Sequence, residues 1–135
     1  MNGLIKYLWN VAFDNGISIV WTDQLALDKP SCAMPNQNTI IVNNRWHNQD
    51  EIPFQLAHEI GHMLNGDEGA LYYCSPASHT KVECGANDKA IDLILNYCVV
   101  NDEPTNNYAD FMYCYGIPYS LEENVKRRYA YYFKR

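Results

Sequence analysis

Gln55-Leu56-Ala57-His58-Glu59-Ile60-Gly61-His62 is the stretch whose reading decides the rest of the chain, because it contains H-E-x-x-H. The apolar spacing of Leu56, Ile60, Met63 and Leu64 predicts a helix with a buried stripe. On such a helix His58 and His62 lie one turn apart on one face, where two imidazoles can hold two corners of a tetrahedral zinc site. Glu59 projects about 100° away from His58, within reach of a water near the metal without being a ligand. Two fixed nitrogens beside a general base are what a zinc hydrolase needs. Gly61 has no side chain and leaves room for another backbone to approach.

A zinc site of this kind takes a third protein ligand and leaves the fourth position to water or substrate. The segment Val82-Glu83-Cys84-Gly85-Ala86-Asn87-Asp88-Lys89-Ala90-Ile91-Asp92-Leu93-Ile94-Leu95 predicts a second helix. Val82, Ala86, Ala90, Leu93 and Ile94 form its apolar stripe, and Glu83 stands beside them. A glutamate in a helix's first turn is ordinary by itself. About twenty residues after H-E-x-x-H it becomes the candidate third ligand. Asn87, one turn beyond Glu83, can hydrogen-bond the free ring nitrogen of a liganding histidine.

Together the blocks Asn38-Thr39-Ile40-Ile41-Val42-Asn43, Phe54 to Leu64, Glu83-x-x-Ala86-Asn87-x-x-Ala90 and Leu93-Ile94 resemble the ImmA/IrrE metallopeptidases. These are small gluzincin-like proteins of phages, prophages and other mobile elements, and of bacteria. The resemblance implies that His58, His62 and Glu83 bind Zn2+ and that Glu59 is the catalytic base. It also implies a substrate class, the helix-turn-helix transcriptional repressors of such elements. The chain departs from the usual family pattern at Gly85 (commonly Glu), at Lys89 (commonly Phe) and at Asn96 (commonly Pro after the leucine pair).

Length and composition set the outer bounds. At 135 residues with 47% hydrophobic residues, the chain is expected to be one metallopeptidase-like domain over 1–135, with a single core. A net charge of −6 argues against a phosphate-binding surface. Lys126, Arg127, Arg128, Lys134 and Arg135 cluster near the C-terminus and read as a solvated helix face. No direct nucleic-acid contact and no membrane contact are therefore expected. The five cysteines include no C-x-x-C pair, and an odd count suits a reducing cytoplasm.

Around the site, Gly3 to Phe13 predicts an amphipathic first helix with Leu4, Leu8, Val11 and Ala12 inward, stopped at Asn15-Gly16. Ile17 to Trp21, a short piece near Ser31 to Met34, and Thr39 to Asn43 read as three strands. Pro53 fits the first turn of the histidine helix. Residues 65–80 read as a loop, in which Tyr72, Tyr73 and His79 are candidate oxyanion stabilisers. Tyr108 to Tyr115 predicts a short helix, and Ser120 with Glu123 reads as a capping box for a last one. The expected fold is thus α+β, a small zincin-like domain. It has an N-terminal helix, a small three-stranded sheet, a zinc-binding helix, a glutamate helix and C-terminal helices.

Two other readings compete with a peptidase. One is a zinc-containing regulatory binding module with little or no proteolytic activity; Glu59, a non-ligand between two ligands, has no duty there. The other is an interaction protein without metal.

Overall fold

The computed structural model describes residues 2–69, 71–72 and 80–133, with the side chains of Asn2, Leu71 and Tyr72 left aside. Helix α1 (Asn2–Asp14) leads into strand β1 (Ser18–Thr22), and β2 (Cys32–Met34) and β3 (Thr39–Asn43) follow. Next come α2 (Ile52–Leu64), a two-residue strand β4 (Leu71–Tyr72) and the long α3 (Lys81–Val100), and α4 (Tyr108–Cys114) and α5 (Glu122–Tyr132) close the chain. The α+β architecture is as expected from the sequence. The three expected strands are joined by β4, whose pairing with β2 adds a fourth to the sheet.

Sheet order is β1-β3-β2-β4, with β1 parallel to β3 and β2 antiparallel to both of its neighbours. The register places Ile19 opposite Ile40 and Trp21 opposite Val42. Ile40, Val42 and Ala33 are fully buried. Alternation along β3 sends Ile40 and Val42 to one face of the sheet.

Helix α2 is the centre of the molecule. Every residue from Ile52 to His62 is buried, so the helix is enclosed on all sides rather than along one stripe. Phe54, Leu56 and Ile60 are wholly buried, each contributing about 1.5–3 kcal/mol. That burial offsets the cost of enclosing Gln55, His58, Glu59 and His62 on the same helix. Its start is held from outside: Asn48 accepts from the Asp50 N–H at 3.2 Å, and Trp46 Nε1 donates to Glu51 at 2.8 Å. Ser31 Oγ donates to Gln55 Oε1 at 3.0 Å and ties α2 to the start of β2.

From α1, Leu4, Leu8 and Ala12 enter the core, which draws on all five helices. In α3 the buried stripe is Ala86, Asn87, Ala90, Ile91, Ile94, Leu95 and Cys98, and Val82 is exposed. With asparagine instead of proline at 96, α3 keeps its backbone donor there and runs on to Val100. Asn96 Nδ2 donates to the Tyr7 hydroxyl at 2.6 Å. Helix α5 packs on α3 through a two-pronged ion pair, Arg128 to Asp92 at 2.7 and 2.8 Å, and through Arg127 to Asp88. The expected capping box is absent. Ser120 sits in a 3-10 turn, Tyr119–Leu121, that runs straight into α5, and Leu121 occupies the cap without a side-chain bond. No helix among the described residues is long and apolar enough to cross a membrane.

Candidate metal centre

The close approach of α2 and α3 builds the site. A Cβ on Gly61 would meet the Ala86 carbonyl oxygen at 2.9 Å, so glycine is what lets the two backbones come this near. Thr80 caps α3, its hydroxyl accepting from the Glu83 N–H at 3.2 Å. That cap fixes the first turn and points Glu83 back at α2. The result is that His58, His62 and Glu83 each offer a donor atom, all within 4.8 Å of one another.

The two imidazoles stand edge-on, with ring centroids 4.7 Å apart. His58 Nδ1 lies 2.8 Å from Asn87 Oδ1, and its Nε2 lies 2.9 Å from Glu83 Oε1. His62 Nδ1 lies 2.9 Å from Asp67 Oδ2, and its Nε2 is 3.3 Å from Glu83 Oε2. An amide oxygen and a carboxylate only accept, so each Nδ1 carries the proton and donates. In neutral rings both Nε2 atoms then present lone pairs to the Glu83 carboxylate. Lone pairs facing a carboxylate repel unless a positive charge sits among them. His62 Nε2 is moreover buried without a hydrogen-bond partner among the described residues. Two imidazole nitrogens and one carboxylate oxygen are also the donor set of open zinc sites. These residues therefore fit a divalent cation, and zinc among such cations.

The charge balance agrees with that geometry. Where His58 Nε2 carries a proton instead, its hydrogen bond holds the Glu83 carboxyl below its ordinary range, against the opposing effect of burial. Glu59 behaves in the opposite way. It is wholly buried, neither carboxylate oxygen has a hydrogen-bond partner within bonding distance among the described residues, and burial pushes its pKa well above the usual value. The neighbouring charge of Glu83 raises it further, and the backbone of Ala33 offsets this only in part. Two carboxylates a short distance apart are thus pushed in opposite directions, the pattern that marks an acid–base group beside a charged one.

Of the residues singled out in the sequence, the fold gathers His58, His62, Glu83, Glu59 and Asn87 into one site. Tyr73 and His79 lie outside the described residues, as does the side chain of Tyr72. Asp67, against His62, is a site residue that sequence reasoning missed. Its signal is the Gly66-Asp67 pair directly after the helix, which by composition reads only as the beginning of a loop.

A buried helix with ligand-spaced histidines, faced by a glutamate from a second helix and flanked by a small sheet, defines a small zincin-like domain. The model of the peptidase M78 family, described as the IrrE N-terminal-like domain, matches residues 16–132, and the chain belongs to this ImmA/IrrE family of metallopeptidases. No curated protein and no solved structure matches the chain.

Proposed function

We propose that this chain is a zinc-dependent endopeptidase that cleaves a helix-turn-helix transcriptional repressor of a phage or mobile element in the cytoplasm. The observation that carries the enzymatic part is the convergence of both Nε2 atoms and the Glu83 carboxylate beside the buried carboxyl of Glu59. His58, His62 and Glu83 would hold the metal. Bound there, zinc would supply Lewis acidity, bringing the pKa of a water to about 7 and polarising a peptide carbonyl.

The chain's own groups do the rest. Glu59, with its raised proton affinity, accepts the proton of the attacking water and returns it to the leaving amine nitrogen. Asn87 holds the His58 ring in place. Strand β4 is one edge of the sheet and packs beside α2, so an extended substrate would pair there through its backbone. The substrate class itself rests on the family, whose resemblance spans the motif blocks between residues 38 and 95.

Metal analysis of untagged protein tests the ligand set. One zinc per chain is expected in the wild type and none after His62→Ala. Full occupancy in that variant would overturn the assignment. A pull-down with Glu59→Gln protein, which should hold a substrate without cutting it, identifies the repressor.

A further inference from the structure

Helix α2 ends in a turn that Gly66 sets. The Gly66 N–H donates to the Met63 carbonyl at 3.2 Å and the Asp67 N–H to the His62 carbonyl at 3.1 Å. Gly66 is left-handed at φ +75, completing a Schellman motif. Such a motif brings the residue after the glycine against the residue five before it, commonly as an apolar contact. Here the pair is Asp67 and His62, and the contact is the 2.9 Å approach of Asp67 Oδ2 to His62 Nδ1.

An aspartate is otherwise out of place here. The C-terminal end of a helix carries partial negative charge, and a carboxylate beside it costs about 0.3–1 kcal/mol. Something must offset that cost, and the hydrogen bond to a fully buried ring is the partner available. The two histidines are also held differently. His58 donates to a neutral amide on α3, whereas His62 donates to a carboxylate from the end of its own helix. A charged acceptor makes the stronger bond and raises the basicity of the opposite nitrogen.

We propose that Asp67 is the positioning residue for His62. Delivered by the Gly66 turn, its carboxylate fixes the Nδ1–H tautomer and aims Nε2 at the metal position. This rests on the metal reading above, and the experiment separates the two. Zinc affinity is measured by chelator competition for wild type, Asp67→Asn, Asp67→Ala and His62→Ala. The His62 Nδ1–H proton resonance of the zinc-loaded proteins is followed alongside by NMR. Asp67→Ala should weaken zinc by about 10–100-fold and lose the resonance. Asp67→Asn keeps an acceptor of the same shape without the charge, so it should fall between Ala and wild type, with the resonance retained but shifted upfield. A shift of that ring proton is a signature that a merely structural loss would not produce, and Asp67→Asn decides the matter if the alanine variant does not fold. Wild-type affinity and an unmoved resonance in Asp67→Asn, or wild-type affinity in folded Asp67→Ala, overturns the proposal. If His62→Ala itself binds zinc like the wild type, the metal reading fails instead.

Discussion

Gly61→Ala sets two known effects against each other, and the local geometry decides which wins. In a helix interior, alanine in place of glycine gains about 0.8–1 kcal/mol of propensity. At position 61 the new Cβ would lie 2.9 Å from the Ala86 carbonyl oxygen, 3.2 Å from Lys89 Cβ and 3.4 Å from Ala86 Cα. The first of these is backbone of a packed helix and cannot rotate away, so α3 must retreat by a few tenths of an ångström. Overpacking of this kind costs about 1–3 kcal/mol, which exceeds the propensity gain. The net loss should be about 1 kcal/mol, or about 3–5 °C in Tm for a chain of this size. Because α3 carries Glu83 while α2 carries both histidines, zinc affinity should fall with it, by about tenfold. Gly85→Ala is the control. It lies in the interior of α3, and among the described residues its Cβ would meet only Asn65 Nδ2, at an ordinary 3.5 Å. That variant should gain about 0.5–1 kcal/mol and leave zinc affinity alone. Thermal melts and chelator competition on both variants read the result. If Gly61→Ala is as stable as Gly85→Ala and binds zinc like the wild type, the close helix contact is not what sets the site.

Other expected outcomes follow from the same geometry. Asn87→Ala removes the acceptor for His58 Nδ1, so zinc should be retained at high concentration but lost to a chelator about 10–100-fold more readily; unchanged competition would reduce Asn87 to a packing residue. In metal-free protein Glu59 carries a raised pKa, so its cost to folding is absent below its unfolded value of 4.5 and grows as pH rises above it. Glu59→Gln, neutral throughout, should therefore match the wild type near pH 4. It should become the more stable of the two toward neutrality, the gap widening by up to about 1.4 kcal/mol per pH unit until Glu59 ionises in the folded state. Urea melts across that range that run parallel would contradict the raised proton affinity of the buried carboxylate.

Much of this site is legible in the sequence because it is written in helical spacing. Residues four apart share a face whatever the tertiary fold, so the spacing alone pairs His58 with His62 and Glu83 with Asn87. The Thr39–Asn43 strand is equally plain, its β-branched residues bounded by asparagines. What escapes is what depends on pairing or on turn geometry. Strand β4 has two residues, too few for any period, and exists because β2 offers it an edge. Asp67 acquires its role only when Gly66 turns the chain back on His62. Ser120 and Glu123 have the spacing of a capping box, but the 3-10 turn before α5 carries the chain past it. Val82 fits the helical period yet lies on the first turn of α3, beyond the reach of the core.

The central claim is that the gathered histidines and glutamate serve peptide-bond hydrolysis through Glu59. Co-expression of wild-type or Glu59→Gln protein with the proposed helix-turn-helix repressor substrate, with zinc content measured on both, tests it most directly. Equal zinc and a fall in repressor cleavage of at least about 10²-fold in Glu59→Gln are predicted. Equal cleavage by both proteins would contradict the assignment of the base. A repressor left intact by both while each binds it would make the chain a zinc-containing binding module instead.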